Sequence, residues 1–411
     1  MTERLDVIVV GGGPAGASTA FQLARQGVRV RVLERARFPR AKPCAECLSP
    51  QASRILDDMG VLSALESRGA LLSGMTVRAP NGTWLRGDYV AGHGYRGYRD
   101  RGLALRRDVL DHALLTRARE AGALVDERVR VTGVRRNRRD EVGGVTVLTP
   151  GGGTRDLSAP MIVGADGLRS VIARRLGLAR AATWPRRISL VAHFRGVADV
   201  GAYGEMHVEP DGFVGIADVG EGVTTVAAVF PAARATEMSR DRAHFLRRWL
   251  ASKPHLASRF VGATQDGPAR AVGPFASHAR RAWHEGAVLV GDAADFFDPF
   301  TGEGIYSALR GGELAADAIV EALGASRSAD STRALRGYDA ARTREFGDKW
   351  RVERLIGVGV AFPVLVNRAA RALAARKPLA DLLIGVTGDF VPAREVLRPS
   401  YLARLFLVPA G

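Results

Sequence analysis

Apolar and polar positions change their period several times along the chain, and each change marks an element. Leu5 to Val10 is a short apolar run with β-branched residues, the pattern of a buried strand. Ala17 to Gln26 has helical spacing and is closed by Gly27, and Val28 to Leu33 is a second apolar strand ending at Glu34. Strand, helix and strand fit within about 30 residues, the length of a βαβ unit. Ser49 and Pro50 predict an N-cap and a first helical residue. Ile55, Leu56 and Met59 give that helix an apolar stripe, and Gly60 stops it. Asp108 to Ala121 reads as another amphipathic helix, with Leu110, Ala113, Leu114 and Ala118 on one face.

The middle of the chain changes character. Ile188 to Val197, Glu205 to Glu209, Phe213 to Val219 and Val223 to Phe230 predict strands. Turns at Pro210-Asp211-Gly212 and Gly220-Glu221-Gly222 separate the last three, which signals a meander. Ala287 to Val290 returns to a buried-strand pattern. A long helix is expected from about Glu303 to Leu323, and Thr332 to Gly411 reads as mostly helical and rich in arginine. The predicted class is α/β (α+β overall): a Rossmann-like parallel sheet, a mainly antiparallel sheet and C-terminal helices.

Composition narrows the function. The 411 residues are 46% hydrophobic and 25% charged, which excludes wholesale disorder. Two cysteines, Cys44 and Cys47, exclude a disulfide framework and a four-cysteine zinc site, and no metal is expected. No uninterrupted apolar run reaches the length of a membrane span, since Pro363 breaks the longest, Leu355 to Val366. Met1-Thr2-Glu3-Arg4 has no signal-peptide layout, so a cytoplasmic location is expected. The net charge of +16 raises the question of nucleic acid. The arginines are scattered without interleaved aromatics, so no nucleic-acid partner is expected. Attraction to an anionic cofactor, or peripheral contact with a membrane carrying a lipophilic substrate, is an expectation instead.

Three motifs carry chemistry. In Gly11-Gly12-Gly13-Pro14-Ala15-Gly16, the first glycine of the fingerprint allows a tight turn, Gly13 admits a pyrophosphate, and Gly16 lets helix pack on strand. The helix start offers free N–H groups to phosphate. Glu34 can accept a hydrogen bond from a ribose hydroxyl and disfavours a 2′-phosphate; NAD and FAD both fit. The second motif is Met161-Ile162-Val163-Gly164-Ala165-Asp166-Gly167. The third is Val288-Leu289-Val290-Gly291-Asp292, followed by Asp298-Pro299-Phe300-Thr301-Gly302-Glu303-Gly304-Ile305. There a strand delivers an acid to the sheet edge, and a glycine-rich loop opens a long helix whose bare N–H groups can face an anion.

In this order and spacing the three motifs resemble the FAD-dependent oxidoreductase superfamily that includes para-hydroxybenzoate hydroxylase, geranylgeranyl reductases and flavin halogenases. The segment Phe38-Pro39-Arg40-Ala41-Lys42-Pro43-Cys44-Ala45-Glu46-Cys47 is similar to the lysine–cysteine–glycine loop of the geranylgeranyl reductase branch, with Ala45 in place of the usual glycine. The resemblance implies FAD on Gly11, Gly13, Pro14, Ala15 and Gly16, with Glu34 and Arg35 on the adenosine side. It also implies Cys44 and Ala45 near the flavin, Arg107 on FAD phosphate or the ribityl chain, and Asp166 near the pyrophosphate. Gly291 and Asp292 fall to the ribityl chain, and Gly302, Gly304 and Ile305 to the pyrimidine end of the ring. Cys44, Phe213 and Pro299 are the candidates beside the reacting atoms. NAD(P)H is implied as a transient reductant without a domain of its own. The implied division is an FAD-binding domain over 1–75, 100–182 and 272–330, a substrate-binding sheet over 76–99 and 183–271, and a helical region over 331–411.

The resemblance leaves the reaction to be chosen. No lysine lies between Lys42 and Lys253, where halogenation needs one. Of the aromatic–tryptophan–phenylalanine–proline pattern of the prenyl reductases, Asp211 to Asp218 keeps only Phe213, and Gly215 and Ala217 alternate on one face. The reading favoured at this stage is NAD(P)H-dependent hydroxylation of a phenolic or polyketide-like natural-product intermediate through a flavin peroxide. The alternatives are reduction of prenyl or lipid carbon–carbon double bonds and a flavin electron carrier. The substrate expected is an apolar aromatic or isoprenoid small molecule. His193 and His207 lie on predicted strands able to face it, and the Cys44-x-x-Cys47 spacing permits a thiol pair.

Overall fold

Three of the buried apolar runs lie side by side. In the computed structural model, which describes residues 4–137, 140–149, 152–181, 184–275, 277–302 and 304–407, the strand Val7–Val10 lies between Val30–Glu34 and Met161–Gly164, parallel to both. The six-stranded sheet runs Trp283–His284, Ala287–Leu289, Met161–Gly164, Val7–Val10, Val30–Glu34, Leu124–Glu127, with only its first strand antiparallel. Every residue of Val7–Val10 and of Met161–Gly164 is buried, as expected for inner strands covered on both faces.

The register decides where the chemistry sits. Val10 pairs with Leu33 on one side and Gly164 on the other, and Gly164 pairs with Leu289. The turns that follow these strands therefore leave from one carboxyl rim, where ligands bind in open α/β sheets. The helix Pro14–Arg25 begins at that rim and packs against the long helix Gly304–Gly324, where the Ser18 hydroxyl donates to the Leu309 carbonyl at 2.8 Å. Glu303 lies outside the described residues, as do residues 408–411.

One local expectation shifts, and one strand carried no signal in the sequence. The helix expected from Ser49 and Pro50 starts at Ala52, because those two residues form the preceding turn, in which the Ser49 hydroxyl accepts from the Ala52 N–H at 3.2 Å. The strand Thr264–Val272 was masked in the sequence by Gly267-Pro268; proline is tolerated there because the strand is at a sheet edge.

The second sheet has seven strands in the order Thr264–Val272, Arg187–Arg195, Thr224–Pro231, Gly212–Asp218, Tyr203–Glu209, Gly74–Arg78, Trp84–Asp88. All pairs are antiparallel except Tyr203–Glu209 with Gly74–Arg78. Its two faces differ. Leu190, Phe194, Val214 and Ile216 point to one side and pack under Phe245, Leu246 and Trp249 of the helix Arg242–Ala251. Phe213, Gly215 and Ala217 point to the other, opposite Val229, Ala227 and Thr225 in cross-strand register. His193 is opposite Thr225 and shares that second face.

The C-terminal helices begin with Ser328–Gly359, which turns by 118° into Pro363–Ala374, followed by Lys377–Thr387. No single described helix is long and apolar enough to cross a membrane.

Candidate functional site

The glycine turn after the first strand is shaped by contact. Gly11 has φ +102°, and a Cβ there would lie 2.4 Å from the Ala165 carbonyl oxygen. A Cβ on Gly16 would lie 1.9 Å from the Gly11 carbonyl oxygen. These two glycines let the second motif's turn, the first turn and the helix start touch. Gly13 faces the rim bare: the nearest side-chain atom to a Cβ placed there is Arg40 Nη2, 3.6 Å away. Gly13 is also the N-cap and supplies no side-chain acceptor, so the first N–H groups of Pro14–Arg25 are left for a ligand. Glu34 is buried, its Oε2 accepting from the Gly12 N–H and its Oε1 from the Ala36 N–H, both at 2.8 Å. Each oxygen keeps a lone pair for a ribose hydroxyl.

The loop from Phe38 to Leu48 runs along the rim from this turn to the second sheet. Its even-numbered residues do the contacting. Arg40 reaches the buried Asp111 at 3.0 Å. Lys42 Nζ is 4.0 Å from Asp292 and 3.8 Å from where a Cβ of Gly167 would stand. Cys44 meets the guanidinium of Arg107. Glu46 Oε1 accepts from the Arg107 N–H at 2.8 Å, and its Oε2 lies 2.7 Å from His193 Nε2. Glu46 holds this place in the left-handed region at φ 63°.

Beyond the loop, Asp298 takes the buried Arg187 as a close partner and accepts from the Phe300 N–H at 3.1 Å, fixing the turn Pro299–Thr301. Phe300 meets Phe213 edge to face with ring centres 5.1 Å apart, and Phe275 meets Phe296 at 5.2 Å. The result is a strip of small side chains, Gly215, Ala217 and Ala227, with an aromatic cluster at one end and the Glu46–His193 pair at the other.

The family described as FAD binding domain matches residues 4–345. The chain belongs to this family. Among curated relatives, a digeranylgeranylglycerophospholipid reductase of Methanopyrus kandleri is 30% identical over 97% of this chain and 98% of its own length. Conditioned medium factor receptor 1 of Dictyostelium discoideum is 27% identical over 96% of this chain and 78% of its own. Among solved structures, a flavoprotein/dehydrogenase from Cytophaga hutchinsonii superposes with a TM-score of 0.82 at 21% identity, covering 98% of this chain and 97% of that one. A probable FAD-dependent monooxygenase from Pseudomonas aeruginosa superposes at 0.67 and 23% identity, covering 93% and 99%. At such identities these two likenesses establish the fold. The chain is an FAD-dependent oxidoreductase of the para-hydroxybenzoate hydroxylase type, the superfamily its motifs resemble.

The rim suits FAD. The bare Gly13 turn, the N–H groups of the helix start from Ala15 on (Pro14, at the first position, has none), and Arg40 and Lys42 offer donors and two cations to a diphosphate, and Glu34 offers acceptors to a ribose, with the exposed Arg35 beside it. Burial and the neighbouring Arg107 charge press Lys42 below the ordinary ammonium range, Asp292 opposing them, and an anionic phosphate beside it would favour the charged form. Asp292 stands in the turn Gly291–Ala293 that follows the strand Ala287–Leu289, with Lys42 as its cationic neighbour. Gly302 ends the Pro299–Thr301 turn and Gly304 and Ile305 open the long helix, with Ile305 in the core beneath.

Several expected residues also have partners within the chain. Arg107 is buried, and Asp111 receives both its Nε and Nη2, at 2.7 and 2.9 Å. Its guanidinium thus steadies Asp111 and Cys44, while Arg40 is the cation beside the glycine turn. Asp166 Oδ2 accepts from the Val171 N–H at 2.6 Å, the first N–H of the helix Val171–Arg175 whose N-cap is Ser170; burial raises its carboxyl above the usual range. His207 is fully buried on the sheet face away from His193, where its Nε2 pairs with Glu205 at 2.9 Å. That removes it from any substrate surface, because Glu205 and His207 pair with Ile216 and Val214, on the helix-covered side. Cys44 packs with the core of the parallel sheet, whereas Cys47 packs with Leu72, Tyr89 and Ala104. Cys47 donates to the Ala45 carbonyl at 3.4 Å, and burial pushes its thiol up to about 12.

Arg40, Lys42, Asp111, Glu46, Arg187 and Asp298 were not anticipated as site residues. One signal lay in the sequence: Arg40, Lys42, Cys44 and Glu46 alternate with period two, the spacing that places side chains on one side of an extended segment. Asp111 lies one helical turn from Arg107, the spacing of an ion pair.

Proposed function

We propose that this flavoenzyme reduces carbon–carbon double bonds of a long apolar substrate of isoprenoid-lipid type, drawing its electrons from NAD(P)H. The observation that carries this reading is the Glu46–His193 pair, 2.7 Å apart at the junction of the rim loop and the substrate face. Saturating an isolated double bond requires a hydride on one carbon and a proton on the other. Bound FAD, once reduced, supplies the hydride. The chain must supply or relay the proton, and His193, on the same sheet face as Phe213 and partly open, is the acid–base group placed to do so. Glu46 accepts its Nε2 proton and fixes the ring. The partly open Gly215 and its small neighbour Ala227 give room for an extended chain beside Phe213, and the aromatic end at Phe213, Phe275, Phe296 and Phe300 excludes water from it. Near-full-length likeness to a digeranylgeranylglycerophospholipid reductase supports the same substrate class.

Hydroxylation of a phenolic or polyketide-like molecule is the second reading. The edge-to-face Phe213–Phe300 pair favours it, since such a cluster suits a flat ring. One experiment separates the two. The enzyme is reduced anaerobically with dithionite and given a geranylgeranyl glycerophospholipid. Reduction predicts that the flavin absorbance returns without oxygen and that the lipid gains two hydrogens per turnover. A flavin that stays reduced, together with substrate-stimulated oxygen uptake from NAD(P)H in air, overturns it in favour of hydroxylation.

A further inference from the structure

The 118° corner between Ser328–Gly359 and Pro363–Ala374 carries an apolar surface that is exposed among the described residues. Val364 is 79% exposed, Leu355 58% and Phe362 48%, and Leu365 and Val358 are exposed beside them. Trp184, 56% exposed, comes from the substrate-sheet side and meets Phe362 edge to face at 6.4 Å. No charged residue occurs from Leu355 to Asn367. Arginines stand at both ends: Arg351 and Arg354 before the stretch, Arg368 and Arg371 after it, all exposed, with Glu353 the only acid between 351 and 376.

The inner side of the same corner belongs to the substrate site. Val360 and Val366 pack in one cluster with Phe213, Phe275, Phe296 and Phe300. Arg187, which holds Asp298, also donates to the Gly357 carbonyl at 2.7 Å. The corner therefore stands between solvent and the Phe213–Phe300 end of the proposed substrate face.

We propose that this corner inserts into the interfacial layer of an anionic phospholipid bilayer and that the apolar substrate passes from the bilayer to the pocket past Phe362, Val360 and Val366. A convex corner whose side chains project outward suits a fluid apolar layer. The uncharged stretch enters it, the paired rings of Trp184 and Phe362 take the headgroup level, and the flanking arginines meet lipid phosphates while laying their stems along the apolar side. A second copy of the chain is the poorer occupant, because it would set these arginines against their equivalents. This docking stands whichever reaction the pocket performs.

The test is sedimentation of the flavin-loaded full chain with phosphatidylcholine vesicles, with and without phosphatidylglycerol, at low and high salt. The expected result is binding that needs the anionic lipid, weakens with salt, and falls several-fold in Val364→Asp combined with Leu365→Asp. Flavin content and melting temperature should hold in that variant, since both side chains face solvent. The pair Arg368→Glu and Arg371→Glu, which leaves the apolar corner intact, should lose the preference for anionic vesicles. Equal sedimentation of wild type and the aspartate variant overturns the proposal. So does failure to bind anionic vesicles, or a vesicle-free dimer that the same aspartates dissolve, which would assign the corner to a second copy.

Discussion

Glu46 Oε2 and His193 Nε2 stand 2.7 Å apart, although 147 positions separate them and they belong to different sheets' machinery. The carboxylate cannot drift, because its other oxygen accepts from the Arg107 N–H and its own backbone is bonded to Leu105. The imidazole is thereby held in one orientation on the substrate face. If His193 delivers a proton, His193→Gln should lower the rate of single-turnover flavin reoxidation by about 100-fold, with little change in substrate affinity. Glu46→Gln should cost less, since the ring keeps a hydrogen-bonding neighbour and loses only its anionic one. A rate unchanged in both variants would remove the pair from the chemistry.

Arg40 gives a prediction about cofactor binding that is separable from folding. Its guanidinium lies over the Gly13 turn and shares the buried Asp111 with Arg107. Arg107 keeps Asp111 paired when Arg40 is removed, so Arg40→Ala should leave the melting temperature of the flavin-free protein nearly unchanged. FAD affinity should fall about tenfold, the loss of one charge-assisted phosphate contact of about 1–3 kcal/mol. Titration of flavin-free protein with FAD, followed by fluorescence quenching, measures it. Undiminished affinity would move the phosphate away from Arg40.

The two cysteines should behave as strangers. Cys44 lies beside Arg107 at the rim, while Cys47 is directed into another apolar cluster with its thiol pushed up to about 12. At neutral pH a thiol-specific disulfide reagent should modify Cys44 first, more slowly once FAD is bound, and Cys47 only on unfolding. Cys47→Ser should leave flavin reduction and product formation unchanged. Rapid formation of an internal disulfide on mild oxidation would contradict this arrangement.

The cofactor rim was legible in the sequence because each of its turns follows a continuous apolar run, and parallel register brings such turns to one edge. Gly11, Gly16 and Asp292 stand where the motifs place them for that reason. The substrate side was less legible. Whether a histidine on a strand faces the pocket or the helix layer depends on register within the sheet, which set His193 and His207 on opposite faces. Arg107 was legible as a cation beside a helix start, whereas its pairing with Asp111 one turn later had to come from the fold. The corner at 359–363 was visible only as an apolar run broken by Pro363; that it turns its inner side to Phe213 is a tertiary fact.

The last prediction concerns stability at the far end of the substrate sheet. His255 stacks on His207 with ring centres 5.2 Å apart and lies 3.5 Å from Glu209. Burial, and then the charges of Arg78, His207, Arg259 and Lys253, push its pKa down from 6.5 to about 4. In the unfolded chain the imidazole takes a proton near pH 6.5, while in the folded protein it does so only near 4. Between those values the unfolded state binds the extra proton, so acid favours unfolding throughout that window. Glu209, raised by its own burial, works in the opposite sense near its titration and leaves the upper part of the window to His255. Urea unfolding of wild type and His255→Gln at neutral pH and at about pH 5 should therefore show the wild type losing about 1–2 kcal/mol more than the variant on acidification. Parallel losses would mean that His255 titrates in the folded protein as it does in the unfolded chain.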